Sequence, residues 1–162
     1  MRIIVVSDTH MPRSAKSIPA PLREALTTAD YILHAGDWCV PDAVRAFEAY
    51  APVDGVAGNN DVRELAERFG WRKRLNLGGI RIGIVHGHGT GGTTESRALQ
   101  AFKNEKVDVI LFGHSHVPLN RRDGGILMFN PGSPTARRRQ PHHSFGIWDI
   151  EDGILQVRHV FF

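Results

Sequence analysis

The run Ile3-Ile4-Val5-Val6-Ser7-Asp8-Thr9-His10 decides the reading of this chain, because a β-branched apolar stretch passes directly into a polar cluster holding a carboxylate and an imidazole. Val and Ile favour extended backbone, so Arg2 to Val6 reads as a strand. In open α/β sheets ligands sit outside the carboxyl ends of the strands. Residues two apart in extended chain point the same way, so Asp8 and His10 can grip one ion together.

The arrangement recurs at four more apolar runs. Tyr31 to Ala35 leads to Gly36-Asp37, and Val53 to Ala57 leads to Gly58-Asn59-Asn60-Asp61. Ile80 to Val85 leads to His86-Gly87-His88, and Val107 to Phe112 leads to Gly113-His114-Ser115-His116. A lone Asp or His after a strand is usually a turn residue or a cap. Five such clusters in chain order reverse that weighting, since strands sharing one sheet edge would bring them to a single crevice. Carboxylate oxygen mixed with imidazole nitrogen suits Mn, Fe, Zn, Ni or Co better than Ca or Mg. The candidate ligands Asp8, His10, Asp37, Asn59, His86, His114 and His116 are too many for one tetrahedral ion. They fit two ions about 3.5 to 4 Å apart, with Asp37 the natural bridge. His34, inside an apolar strand, reads as a hydrogen-bonded core histidine, and Cys39 as a small buried hydrophobe. His88 is balanced between orienting a ligand, touching substrate and facing solvent. His142, His143 and His159 are expected at the surface.

Working outward, Pro19 to Thr28 reads as a helix with prolines in its first turn, and Pro41 to Tyr50 as another with Ala43, Val44 and Phe47 on one face. With the strands between them this is βαβαβ, an α/β pattern. After Arg72 the pattern changes: Leu75 to Leu77 and Ile80 to Val85 flank Gly78-Gly79, a hairpin signal. Thr93 to Lys106 reads as a helix burying Leu99 and Phe102, and Val107 to Phe112 as a fully apolar strand. Strands follow around Leu119, at Ile126 to Phe129 and at Phe145 to Ile150, with a hairpin at Asp152-Gly153 and a last strand to Val160. Two mixed β-sheets packed face to face with helices outside is the architecture that accommodates these elements.

Composition bounds the answer. The 162 residues suit a single domain, 1–162, and 41% hydrophobic with 23% charged residues excludes intrinsic disorder. No apolar run approaches the ~18 residues of a membrane span, and Asp8 and His10 interrupt the first one too early for a signal peptide, so a cytoplasmic location with no membrane partner is expected. One cysteine makes no intramolecular disulfide. The net charge of +3 suits an anionic substrate without requiring one.

With these residues in hand, the sequence resembles the calcineurin-like metallophosphoesterase superfamily, in particular its small bacterial and archaeal phosphodiesterases. The match runs through Asp8-Thr9-His10, Gly36-Asp37, Gly58-Asn59, His86-Gly87-His88, Gly113-His114-Ser115-His116 and the turn Asn130-Pro131-Gly132-Ser133. The resemblance implies a four-layer αββα sandwich. It also implies one metal held by Asp8, His10, Asp37 and His116 and a second by Asp37, Asn59, His86 and His114, bridged by Asp37 and a hydroxide. Many members carry a histidine directly after the metal-binding asparagine; this chain has Asn60, which leaves the general-acid role to be filled, with Asp61 and His88 as substitutes.

The expected activity is hydrolysis of phosphodiester bonds, with two divalent transition-metal ions, Mn foremost, lowering the pKa of a bridging water and neutralising phosphoryl oxygens. Asn60 and His88 are the catalytic candidates, and Asn60, His88 and Arg137, from the run Arg137 to Arg139, the substrate-binding ones. A small phosphate ester is the expected partner. A non-catalytic protein-binding scaffold of the same fold is the main rival, a nuclease the weaker one because 162 residues leave room only for the core, and a homo-oligomer is compatible with the sequence.

Overall fold

In the computed structural model, which describes residues 1–162, the apolar runs of the first third become parallel strands. Strand β1 (Arg2–Val6) pairs with β2 (Tyr31–His34), Ile3 opposite Tyr31, and β2 pairs with β3 (Val53–Gly55), Ile32 opposite Val53. Helices α1 (Ala20–Leu26) and α2 (Pro41–Glu48) make the crossovers, each with proline in its first turn, where the missing N–H has no intrahelical partner to lose. Helix α2 buries Ala43, Val44 and Phe47 as its spacing predicts. A further helix, α3 (Arg63–Phe69), carries only two buried residues, Leu65 and Phe69, in a charged heptapeptide too short for a period to show.

Strands β4 (Arg72–Leu77) and β5 (Ile80–Val85) form the hairpin around Gly78-Gly79. Helix α4 (Thr94–Ala101) starts at a capping box between Thr93 and Ser96, but it ends before Lys106. It presents Ala98 and Phe102 to the core, while Leu99 is only half-buried at the edge of the same contact. Strands β6 (Val109–Leu111), β7 (Leu119–Asp123), β8 (Ile126–Asn130), β9 (Ser144–Glu151) and β10 (Ile154–Phe161) complete the order.

The strands divide into two mixed sheets, β10-β9-β1-β2-β3 and β4-β5-β6-β8-β7. Strand β9 enters beside β1 antiparallel, Ile4 opposite Ile147, so the N-terminal strand ends up interior to its sheet. Because side chains alternate along a strand, each sheet has two apolar faces to cover. Ile3, Val5, Leu33 and Val56 of one sheet meet Ile82, Ile84, Val109, Leu111 and Phe129 of the other in the central core. The outer face of the first sheet, Ile4, Val6 and Ile32, packs under α1, α2 and α3 through Leu22, Leu26, Val44, Phe47, Leu65 and Phe69. The outer face of the second, Ile110, Phe112 and Met128, packs under α4. The result is a four-layer αββα sandwich. No helix is long and apolar enough to cross a membrane.

Two of the three histidines expected at the surface are partly enclosed. His159 stacks on Phe129 at 4.4 Å and donates to the Asn130 carbonyl at 2.7 Å, and His143 is half-buried. Both lie on or beside the last strands, whose pairing to the body of the sheet is set by contacts far away in sequence. His142 is exposed as expected.

Candidate metal centre

All five polar clusters lie at the carboxyl ends of β1, β2, β3, β5 and β6, and the two sheets stack so that these ends meet. The chain must leave each strand abruptly to aim its side chains inward. Five of the candidate ligands do so with backbone in the left-handed region: Asp8 (φ 56°), His10 (45°), Asp37 (62°), His114 (66°) and His116 (61°). Non-glycine residues rarely adopt this conformation, and clusters of them mark functional sites. The strands approach closely enough that a Cβ at Gly113 would fall 1.9 Å from Ser7 Oγ and 2.8 Å from Asp8 Oδ2, so that position must be glycine.

Two groups of ligand atoms form, Asp8 with His10 and His116, and Asp8 with Asp37 and His86, each with all its atoms within 4.8 Å of one another. Asp8 Oδ1 lies 3.3 Å from His116 Nε2 and 3.9 Å from both His10 Nε2 and His86 Nε2. Asp37 Oδ2 lies 3.5 Å from His10 Nε2 and 3.3 Å from His86 Nε2, so it too faces both groups. Asn59, exposed on its turn, and His114, half-buried with its ring 5.2 Å from that of His86, flank these five residues.

Surrounding groups hold each ligand in the form a cation requires. His86 Nδ1 donates to the Ala35 carbonyl at 2.7 Å, and His116 Nδ1 donates to the Ala136 carbonyl, so both turn an Nε2 lone pair inward. Cys39, buried as expected, places its Sγ 3.7 Å from His10 Nδ1. Asp8 Oδ2 accepts from Ser7 Oγ at 2.7 Å and from the His114 N–H at 2.9 Å, whereas its Oδ1 is buried without any hydrogen-bond partner, as is His86 Nε2. Two enclosed polar atoms left unpaired and facing one another are costly on their own, and a divalent cation between them satisfies both. The donor set therefore fits metal.

The electrostatics agree. Burial by itself would raise the carboxyls of Asp8 and Asp37, yet the neighbouring His116 and His86 in the first case, and His86 and Asn60 in the second, outweigh it and hold both below the ordinary carboxylate range. Burial pushes His10, His88 and His114 down, toward the neutral form that ligates.

Asn60 donates through its backbone N–H to Asp37 Oδ1 at 2.8 Å and through its side-chain amide to Asp37 Oδ2 at 2.7 Å. Both oxygens of Asp61 are engaged as acceptors: the N–H groups of Cys39 (2.6 Å), Gly58 (2.7 Å) and Asp37 (3.0 Å) all donate to it. It fastens the β2 end to the β3 end, a role invisible in sequence because its three partners assemble only in the folded chain. His88 is half-buried, its ring 5.5 Å from His86 and 6.3 Å from His114. Arg137 is exposed and turns back to donate to the Gln140 carbonyl; Arg138 reaches the His114 carbonyl at 3.3 Å. His34 is the core histidine expected: Gly36 N–H donates to its Nδ1 at 3.1 Å, which leaves Nε2–H to donate to Thr9 Oγ1 at 3.0 Å, and its ring stacks on Trp38.

Comparison with known proteins adds four findings. The model of the calcineurin-like phosphoesterase superfamily domain matches residues 1–153. A protein of Methanothermobacter thermautotrophicus named as a probable metallophosphoesterase is 36% identical over 140 residues, 85% of this chain and 80% of that protein. A phosphodiesterase of Methanocaldococcus jannaschii is 28% identical, over 82% of this chain and 83% of its own. Among solved structures, Vps29 of Chaetomium thermophilum superposes with a TM-score of 0.82 over 100% of this chain and 98% of its own, at 20% identity, a likeness of fold. On the family match and the archaeal relative together, this chain belongs to the calcineurin-like phosphoesterase superfamily.

Proposed function

We propose that the protein is a dinuclear-metal-dependent phosphodiesterase that hydrolyses small phosphate esters, with manganese the first metal to test. The observation that carries this reading is the pair of triads sharing Asp8, with Asp37 facing both and with buried, unpaired atoms aimed between them. When bound, two divalent cations supply an acidified water as nucleophile and neutralise the phosphoryl oxygens. Asp8, His10, Asp37 and His116 would hold one, and Asp37, Asn59, His86 and His114 the other.

The remaining residues act around that centre. Asn60 keeps the Asp37 carboxylate in place with both of its donors, so its amide is committed to positioning. His88, beside His86 and His114, is placed to donate to a phosphoryl oxygen. No imidazole follows Asn59, and an amide protonates no leaving group, so esters whose leaving oxygen is already stable, and strained cyclic diesters, are the preferred substrates. The M. jannaschii relative's name as a phosphodiesterase supports the same class.

The test is turnover of an aryl phosphodiester by wild type and Asp37→Ala, after chelation and manganese reconstitution, together with metal analysis. Wild type should bind two equivalents and turn over, and chelator should abolish turnover. Asp37→Ala should lose at least one equivalent of metal and about 100-fold or more in rate, since a ligand facing both ions is removed. Equal activity in the two proteins would refute the dinuclear reading. A stable, metal-free and inactive wild type would favour a scaffold.

A further inference from the structure

We propose that Trp71 and His88 form an aromatic shelf beside the metal centre, and that the phosphodiester cleaved there carries a nucleoside whose base stacks on it. The inference rests on the phosphodiesterase reading and names the substrate class within it.

Three observations converge on Trp71. It is 51% exposed, whereas Trp38 and Trp148 are 0% exposed, so this one indole is offered to solvent. Its ring stands edge-on to His88, centroids 5.7 Å apart with the planes at 65°, and His88 is in turn 5.5 Å from His86 and 6.3 Å from His114. The backbone places it there by design of the turn: Gly70, at φ 71°, accepts from Ala57 N–H at 2.7 Å, and Arg72 then pairs with Val85. Trp71 is thereby held between the β3 end, which carries Asn59, and the β5 end, which carries His86 and His88.

The order of the rings selects the ligand. His88 adjoins the ligand histidines, and Trp71 lies one ring further out. An aryl group bonded to phosphorus through its ester oxygen meets His88 first; a planar group that reaches Trp71 is carried on a spacer, which the sugar of a nucleoside provides. Stacking of bases on aromatic side chains tolerates every base, because each has a π-face. The shelf should therefore recognise the presence of a base and discriminate weakly among bases.

The manganese-loaded protein is assayed on the 4-nitrophenyl ester of adenosine 5′-phosphate and on the 4-nitrophenyl ester of ribose 5-phosphate, the same activated diester with and without its base. Wild type should prefer the first. Trp71→Ala should lower the ratio of the two kcat/KM values about fivefold, through KM, as the low end of base stacking at an exposed aromatic predicts. Trp71→Phe should restore most of it. Because the other two tryptophans are enclosed, acrylamide quenching reports Trp71 alone, and adenosine 5′-phosphate should protect it where ribose 5-phosphate does not. An unchanged ratio in Trp71→Ala with no base-dependent protection overturns the shelf while leaving the hydrolase reading intact. Base-dependent protection with neither ester hydrolysed supports the shelf and overturns the hydrolase reading.

Discussion

Removing the Asp61 carboxylate should weaken the fold and the metal centre together. Its two oxygens accept three backbone N–H groups, from Cys39, Gly58 and Asp37, at 2.6 to 3.0 Å. In Asp61→Ala these donors lose their partner. An unsatisfied buried donor costs about 1–3 kcal/mol, and since Asp61 is half-buried, water recovers part of that; the low end applies, about 3 kcal/mol for three. Asp61→Asn keeps one acceptor oxygen and turns an NH2 toward donors, so roughly half to two thirds of the loss should remain. Two of these N–H groups, those of Asp37 and Cys39, belong to the turn that presents Asp37, and loss of an orienting group typically weakens metal binding ~10- to 100-fold. Urea unfolding of the chelated protein and competitive manganese titration measure the two effects separately. Unchanged urea midpoint and unchanged manganese affinity in Asp61→Ala would refute the fastening role. If instead Asp61→Asn left stability intact and abolished turnover only of substrates with poor leaving groups, Asp61 would be the missing acid.

Two further outcomes are expected. Asn60→His should raise hydrolysis of an alkyl phosphomonoester relative to an aryl phosphodiester by about tenfold, below the ~100-fold of a well-placed general acid because the 2.7 Å bond to Asp37 is lost; the ratio of kcat/KM changes at matched pH measures it. His34, which burial lowers from 6.5 to about 3, stays neutral in the folded chain while the unfolded chain takes up a proton below 6.5. Its contribution to stability is therefore complete above pH 6.5 and is lost as pH falls toward about 3. Chelated wild type should lose about 1.4 kcal/mol per pH unit across that window from this group, a slope that His34→Gln removes; parallel pH profiles of the two proteins would refute it.

How far the sequence could be read depended on whether a feature was local. Ile3 to Val6 followed by Asp8 and His10 is a strand and a turn in eight consecutive residues, and the four similar runs repeat it, so the α/β frame and the crevice were legible. Helix α3 was not, since Leu65 and Phe69 are one i,i+4 pair among charges and their burial depends on Trp38 and Phe47 arriving from elsewhere. The same holds within the site. That Asp8 and His10 reach one point is expected from extended spacing, but both leave the strand in left-handed backbone (φ 56° and 45°), so the turn and not the pleat aims them; that Asp8 belongs to both triads depends on how two sheets stack. Trp71 carried no signal either: one aromatic after a glycine becomes notable only when the fold sets it beside His88.

The interior place of β1 governs when this protein can become competent. Its neighbours are β2, made soon after it, and β9, made more than a hundred residues later, with Ile4 opposite Ile147. Domains generally take shape as they leave the ribosome, at roughly 5–20 residues per second, and non-local pairing waits for its partner. For that whole interval one edge of an apolar strand is open, next to Asp8 and His10. The ligands they must meet arrive at His86 and His116, and Ser133, which donates to the Asp8 carbonyl at 2.7 Å, later still. The two triads are thus complete only once His116 has been made, and a chain halted before β9 would carry β1 with one edge unprotected.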